Sequence, residues 1–175
     1  MSQLSNDYLT RPMQPADIDG VMQIQQAVYP PVLLEAPGFF QNRMQLAGQL
    51  CRVAAAGKAV LGYLISYPWH HGLPPKLDVP LSRLPAAAGC WFIHDCAVLP
   101  AAQGQGVAGR LLRDARVAAQ QMGLHSASLV ALADAVEYWQ QQDFLAQPIP
   151  AEALAGYGDG AQFMWRKEIG AKAMA

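Results

Sequence analysis

The segment that most constrains the fold is the run Cys90–Val98, which is apolar except for His94 and Asp95. A strand that is apolar on both faces is typical of the centre of a sheet that is covered on both sides. A glycine-bearing turn at 103–109 follows the run, and apolar residues then recur at helical spacing until Gly123. The sequence therefore predicts a central strand that leads through a turn into a helix. The two polar residues within that strand need a structural or functional reason.

The other periodic segments predict further helices and strands before and after this unit. In chain order they are a strand at Leu9–Met13, helices that begin at Pro15 and Pro37, a hairpin of strands Cys51–Ala56 and Ala59–Tyr67, a strand at Ser126–Leu132, a short helix at Asp134–Gln142 and a strand at Ala161–Arg166. The segment 68–88 holds five prolines and little periodicity, which predicts a long loop of the kind that is usually functional or mobile. With 175 residues, the chain is predicted to form one domain, residues 1–175.

Composition and charge argue against several classes of protein. Hydrophobic residues make up 53% of the chain and charged residues 14%, which excludes extensive disorder. The formal net charge of −1 provides no field that would attract nucleic acid. The sequence has neither a long uninterrupted apolar run nor a signal peptide, so we expect a cytoplasmic protein without a membrane partner. Cys51, Cys90 and Cys96 lack the spacing of a zinc site, so we expect free thiols and no metal.

The turn contains Gly104, Gly106 and Gly109, which formally match the dinucleotide-binding pattern Gly-x-Gly-x-x-Gly. That interpretation requires an acidic residue about 20 positions later, at the end of the next strand, where this chain has Ala131-Leu132-Ala133. A P-loop is excluded because no Gly-Lys-Ser/Thr sequence follows the glycines. Two interpretations remain: an anion site, in which backbone N–H groups of the helix terminus bind phosphate, or a glycine-rich helix start without a ligand.

Three motifs, in order along the chain, resemble those of the GNAT superfamily of acyltransferases. Gln103-Gly104-Gln105-Gly106-Val107-Ala108 matches the family's turn, Gln/Arg-x-x-Gly-x-Gly/Ala. The preceding Cys96-Ala97-Val98-Leu99-Pro100 is similar to the Leu-Ala-Val-x-Pro end of the family's fourth strand, and 135–144 resembles its Ala-x-x-Phe-Tyr-x-x-x-Gly-Phe segment. The resemblance covers roughly residues 50–168, and a first strand followed by a proline-opened helix is also typical of the family.

The resemblance implies an α/β (α+β) fold with a mixed, mostly antiparallel sheet of six or seven strands, splayed between the fourth and fifth, with helices on both faces. It implies that acyl-CoA lies in the splay, with its pantetheine arm along Cys96, Ala97 and Val98. Its pyrophosphate would bind the turn formed by Gln103, Gly104, Gln105, Gly106, Val107, Ala108 and Gly109, where the helix N-terminus supplies positive charge without a metal. The expected co-substrate is acetyl-CoA, and the expected acceptor is a primary amine of a small molecule or peptide. A second copy of the chain, in a homodimer, is a further candidate partner.

The resemblance further points to candidate catalytic residues. Acyl transfer needs a neutral amine, and His94 lies where several family members place the base that removes the amine proton. Histidine suits this role because an imidazole exchanges protons near neutral pH, although a core histidine bonded to backbone fits the same sequence pattern. Asp95 is adjacent in the strand and is therefore expected to face away from the pocket. Glu35 lies between the first two helices, where the family places acceptor-binding residues, and is a candidate for holding a cationic amine.

Trp139 is the main departure from the family pattern. By the resemblance it occupies the position of the tyrosine that protonates the leaving thiolate, and an indole cannot donate a proton in that role. Tyr138 is adjacent and is the candidate acid, although it matches the position of a usually buried phenylalanine. Loss of the acid need not abolish turnover, because a thiol pKa of about 8.5 makes the thiolate a tolerable leaving group. The sequence thus leaves a second interpretation open, a catalytically weak module that senses acyl-CoA.

Overall fold

A seven-stranded sheet forms the centre of the computed structural model, which describes residues 7–77 and 79–170. The strands are β1 Leu9–Pro12, β2 Arg52–Ala56, β3 Ala59–Trp69, β4 Cys90–Val98, β5 Ser126–Ala131, β6 Leu145–Ala146 and β7 Gln162–Arg166. The helices are α1 Ile18–Val28, α2 Pro37–Leu46, α3 Val107–Gln121 and α4 Val136–Gln141. Short 3-10 turns precede or connect several of these elements, including one at Pro15–Asp17, where the first helix was predicted to begin.

The order of the strands in the sheet is β1-β2-β3-β4-β5-β7-β6, and every adjacent pair is antiparallel except β4 and β5. This confirms the predicted mixed, mostly antiparallel sheet of six or seven strands. β4 and β5 are parallel because α3 carries the chain back along the sheet between them. The run Cys90–Val98 lies in the middle of the sheet and pairs with a neighbour on each side, as its apolar sequence predicts.

Helices cover both faces of the sheet, and the core lies between them and the strands. On β3, the ring of Tyr63 packs against Phe40 of α2, with centroids 5.8 Å apart. A Cβ atom on the preceding residue, Gly62, would lie 2.9 Å from the Val107 side chain of α3. Since successive strand residues point to opposite faces, α2 and α3 lie on opposite sides of the sheet. No helix within the described residues is both long and apolar enough to cross a bilayer.

The third strand is longer than the sequence pattern predicts. β3 continues through Pro68 to Trp69 instead of ending two residues earlier. β2 pairs with β3 only as far as Leu64, so no described strand pairs with Pro68 on the side of β3 that faces β2. A proline is tolerated there because its missing N–H group interrupts no pairing on that side.

The loop after β3 is held against α2. Residues 70–89 contain no helix or strand in their described part, as predicted. The side-chain amide of Asn42 donates to the carbonyl of Leu81 at 3.0 Å and accepts from its N–H group at 3.1 Å. The guanidinium of Arg43 donates to the carbonyl of Val79 at 3.1 Å. These bonds satisfy backbone groups that would otherwise lack partners in a segment without regular structure.

Candidate active site

β4 and β5 pair along only part of their length. Cys90–Ile93 pairs with Ser126–Leu129, and a cavity of about 670 Å³ lies beside the residues that follow. The residues that line it include His94, Asp95, Cys96, Gln103, Leu129, Val130, Leu132, Asp134, Tyr138, Trp139 and Tyr157, together with residues 28–30 and 32–35 between α1 and α2. The cavity thus brings together all three predicted catalytic residues. Within the described residues, no cluster of three or more His, Cys, Asp or Glu side chains could hold a metal ion.

Two glycines leave the backbone of the turn after β4 open to a ligand. Gly104 and Gly106 have φ values of 76° and 75°, a region that favours glycine, and no atom lies within 4 Å of a Cβ placed on either. α3 begins at Val107, and no side chain in the described chain caps its N-terminus. The first N–H groups of a helix have no partner inside the helix, so they are suited to an anion. Gln103 is the residue of the turn that lines the cavity, and the turn therefore adjoins it.

A β-bulge lies at the polar part of β4. Asp95 pairs with Ile65 and Ile93 pairs with Ser66, so His94 is the extra residue between them. The bulge interrupts the alternation of side chains, and both His94 and Asp95 line the cavity. The expectation that Asp95 faces away from the pocket is therefore wrong, because it assumed a regular strand.

His94 and Glu35 form a buried pair inside the cavity. Glu35 Oε2 lies 2.9 Å from His94 Nε2, and the two side chains are only 9% and 7% exposed. The imidazole packs against the ring of Phe39, with centroids 4.7 Å apart. The other carboxylate oxygen, Glu35 Oε1, is buried and has no hydrogen-bond partner in the described part of the chain. Two residues that the sequence pointed to separately are thus in direct contact.

Asp95 is held by two tyrosine hydroxyl groups. Tyr29, at the end of α1, donates to Asp95 Oδ1, and Tyr63 of β3 donates to Oδ2, both at 2.5 Å. Burial raises the pKa of Asp95 because it favours the uncharged carboxyl group, and the two hydrogen bonds oppose this only in part. Burial and the adjacent Asp95 carboxylate also raise the pKa of both tyrosines, which keeps their hydroxyl groups protonated as donors.

α4 carries the two aromatic residues at the predicted acid position. Trp139 is 8% exposed and packs against Phe144 with ring centroids 5.3 Å apart, whereas Tyr138 is 39% exposed. The more buried of the two is thus Trp139, contrary to the expectation from the resemblance, although both line the cavity. Burial, with a smaller contribution from the neighbouring Cys96, raises the pKa of Tyr138 to about 12. Burial likewise raises the pKa of Cys96 to about 12, so this thiol is uncharged at neutral pH.

Three residues that shape the site were not identified from the sequence: Gln25, Tyr29 and Tyr63. Gln25 is 1% exposed, and its side-chain amide accepts from the N–H group of Glu35 at 3.0 Å and donates to its carbonyl at 2.7 Å. A glutamine within the apolar stripe of the first helix is the signal that could have identified it, since a buried amide needs partners. The tyrosines give no comparable signal, because tyrosine is common at partly buried positions.

The family model that matches this sequence is described as the acetyltransferase (GNAT) family, and the match spans residues 18–144. The chain belongs to the GNAT family. The matched region contains every residue that lines the cavity except Tyr157. A sequence search of curated proteins gives no match.

Solved structures of other proteins share this GNAT fold. The loading GNATL domain of CurA from Lyngbya majuscula has a TM-score of 0.78 at 14% identity, over 93% of this chain and 98% of that one. The GphF GNAT-like decarboxylase in complex with isobutyryl-CoA has a TM-score of 0.74 at 13% identity, over 92% of this chain and 99% of that one. Arabidopsis thaliana Naa50, in complex with the bisubstrate analogue CoA-Ac-MVNAL, has a TM-score of 0.66 at 12% identity, over 91% and 97%. These likenesses confirm the predicted mixed α/β fold with helices around the sheet.

Proposed function

We propose that this GNAT protein is an N-acyltransferase that moves the acetyl group of acetyl-CoA to a primary amine of a small molecule or peptide. The observation that carries the proposal is the single cavity that reaches from Gln103 at the glycine turn to the buried pair of His94 and Glu35. One end offers backbone donors suited to a pyrophosphate, and the other offers a group that can take a proton from an amine. Direct acyl transfer needs both ends within one cavity.

The donor is assigned to β4 and the turn that follows it. The pantetheine arm would lie along Cys96–Val98, which has no strand partner on the side of β5 among the described residues and can offer backbone groups to the amides of the arm. The pyrophosphate would bind the N–H groups of residues 103–109. The positive φ of Gly104 and Gly106 and the uncapped start of α3 support this fit. Charge-assisted bonds of roughly 1.5–3 kcal/mol each make several such donors a sufficient anchor.

His94 is the base in this proposal. The acceptor amine gives a proton to the imidazole, directly or through water, and its nitrogen attacks the thioester carbonyl carbon. The nitrogen of the tetrahedral intermediate releases its remaining extra proton to solvent, and the C–S bond then breaks and yields the amide and the CoA thiolate. Tyr138 can protonate the thiolate, since its phenol lines the cavity and is protonated at neutral pH. Solvent returns a proton to Tyr138 and removes the proton from His94.

The charge of the cavity supports a cationic acceptor. Glu35 and Asp134 line it, and no lysine or arginine does so within the described residues. Carboxylates attract an ammonium group before it loses its proton. The same charges disfavour a substrate that carries a carboxylate, so they argue against the decarboxylase activity named for GphF.

Release of free CoA distinguishes an enzyme from a module that only senses acyl-CoA. The sensor is the second candidate because Trp139 occupies the usual position of the catalytic acid. Acetyl-CoA is incubated with polyamines, amino acids, aminoglycosides and peptides, and free thiol is measured. We expect release with at least one amine. Acetyl-CoA at 100 times its Kd should also raise the free energy of unfolding by about 2.7 kcal/mol. Stabilisation without release on any amine would favour the sensor, and no stabilisation by acetyl-CoA or longer acyl-CoAs would contradict the donor assignment.

A further inference from the structure

We propose that Gln25 and Glu35 are positioning residues that act through His94: Gln25 fixes the backbone of Glu35, and the Glu35 carboxylate fixes the tautomer and orientation of the imidazole. This inference rests on the proposed acyl transfer, in which His94 takes the amine proton. It gives Glu35 a role different from holding the acceptor, the role that its place in the sequence suggested.

The first link is the contact between Gln25 and Glu35. The side-chain amide of Gln25 makes two bonds to one residue, one to the N–H group and one to the carbonyl of Glu35, as a neighbouring strand would. Glu35 lies in the extended connection between α1 and α2, outside any strand or helix. Gln25 therefore supplies the backbone partners that a strand neighbour would provide, and it fixes the point from which the Glu35 side chain leaves the chain.

The second link is the contact between Glu35 and His94. With the carboxylate at Nε2, that nitrogen carries the proton and donates it to Glu35, which leaves Nδ1 free to accept the amine proton. The carboxylate then stabilises the imidazolium that forms, which is the role of the orienting carboxylate in a catalytic triad. The ring is also held by packing on Phe39. A pair this buried is fixed in orientation, unlike an exposed ion pair.

Titratable and charged groups from several elements lie around the imidazole. They are Glu35 from the α1–α2 connection, Asp95 beside it on β4, Tyr67 of β3, whose ring is 6.4 Å away, and Arg43 of α2, which lies over the rings of Phe39 and Tyr67. Of these, Glu35 makes the direct bond to Nε2. Its charge is therefore the one whose removal should alter proton uptake by His94 most.

The main test compares Glu35→Gln with wild type over a range of pH. The amide keeps the volume and an accepting oxygen but loses the charge that stabilises the imidazolium. We expect the acidic limb of the kcat/KM profile to move to lower pH, while KM for the acyl donor is unchanged. Glu35→Ala, which also removes the orienting bond, should lower kcat by roughly 10²-fold. If Glu35 instead holds the amine, both variants would raise KM for the amine and leave the acidic limb where it is, which would overturn the proposal.

Gln25→Leu tests the first link, with Gln26→Leu on the exposed side of the same helix as its control. We expect Gln25→Leu to lower kcat and to leave KM for the acyl donor unchanged, and Gln26→Leu to behave as wild type. Nitrogen-15 NMR of the imidazoles gives a readout independent of activity, with the His94 signal assigned by its loss in His94→Gln. The wild-type signal should show Nε2 protonated, and Glu35→Ala should give a mixture of tautomers. An unchanged signal in Glu35→Ala, or a fully active Gln25→Leu, would contradict the inference.

Failure of this inference is distinct from failure of the proposed function. If His94→Gln retains wild-type turnover, His94 is not the base and the proposed mechanism is wrong. If His94→Gln is inactive but the Glu35 variants keep the wild-type acidic limb, the base assignment stands and only the positioning role is wrong.

Discussion

The glycine turn at 103–109 and the bulge at His94 lie on the same strand-turn-helix unit, but they are built in different ways. The turn depends on local backbone conformation, namely two glycines with positive φ and an uncapped helix start. The bulge depends on side chains from distant segments: Glu35 contacts His94, and Tyr29 and Tyr63 contact Asp95. We therefore expect changes in the turn to affect binding of the acyl donor and changes at the bulge to affect proton transfer.

The largest effect is expected for His94→Gln. Glutamine keeps hydrogen bonding to Glu35 and a similar volume but cannot accept the amine proton. We expect kcat/KM to fall by roughly 10²–10⁴-fold and the acidic limb of the pH profile to disappear. Affinity for acetyl-CoA, measured by calorimetry, should stay near that of wild type, because the turn is untouched. A variant that lost acetyl-CoA binding and melted much earlier would show instead that His94 is a structural residue of the core.

The next effect is expected for Gly106→Ala, with Gly123→Ala as a matched control. The two glycines precede and follow α3, have φ values of 75° and 79°, and have open space where a Cβ would lie. Alanine in this conformation costs roughly 1–2 kcal/mol, so both variants should lose similar thermal stability. Only Gly106→Ala should also bind acetyl-CoA more weakly, by about 5–30-fold if the strain is relieved by moving the turn. Equal affinities in the two variants would mean that the turn does not hold the pyrophosphate.

A smaller effect is expected for Tyr138→Phe. Phenylalanine keeps the ring against the cavity wall and removes the proton donor, and the thiolate can then take its proton from water. We expect kcat to fall by about tenfold or less, because the thiolate is already a tolerable leaving group. Since the pKa of Tyr138 is raised to about 12, wild type should show no basic limb from this residue below about pH 11.

Trp139→Phe is the matched control for Tyr138→Phe, because it shortens the buried aromatic residue next to the proposed acid. We expect it to lower thermal stability through lost packing against Phe144 and to leave kcat close to wild type. A larger loss of kcat in Trp139→Phe than in Tyr138→Phe would transfer the functional role to the indole.

The two regions also differ in how far the sequence predicts them. Neighbouring residues predict the turn, α3 and the strand before them, and the mixed sheet is what the resemblance of three local motifs to the GNAT family implied. The bulge was missed because no glycine or proline in Cys90–Val98 marks it, and the error put Asp95 on the wrong side of β4. The pair of His94 and Glu35 joins residues 59 positions apart, and no local pattern predicts such a contact.

The smallest effect is expected for Asp95→Asn and concerns stability as a function of pH. Because the folded-state pKa of Asp95 is raised above its unfolded value of about 3.9, the folded protein binds the proton more tightly than the unfolded chain. The contribution of Asp95 to the free energy of unfolding therefore falls as pH rises from about 4 through the folded-state pKa. Above that pKa the contribution is constant.

Asparagine keeps partners for both tyrosine hydroxyl groups but does not titrate, so the melting temperature of wild type minus that of Asp95→Asn should decrease over this range.

Asp17→Asn is the comparison variant, for which the same difference in melting temperature should change with pH in the opposite direction. Burial acts to raise the pKa of Asp17, but bonds from the Arg11 side chain and the Gln14 backbone outweigh it and leave the pKa lowered. The advantage of wild type over Asp17→Asn should thus be complete above about pH 4 and vanish as pH falls through the lowered pKa. If both differences had the same sign, Asp95 would be a stabilising ion like Asp17. The bulge would then carry no cost in stability for placing a carboxylate beside His94.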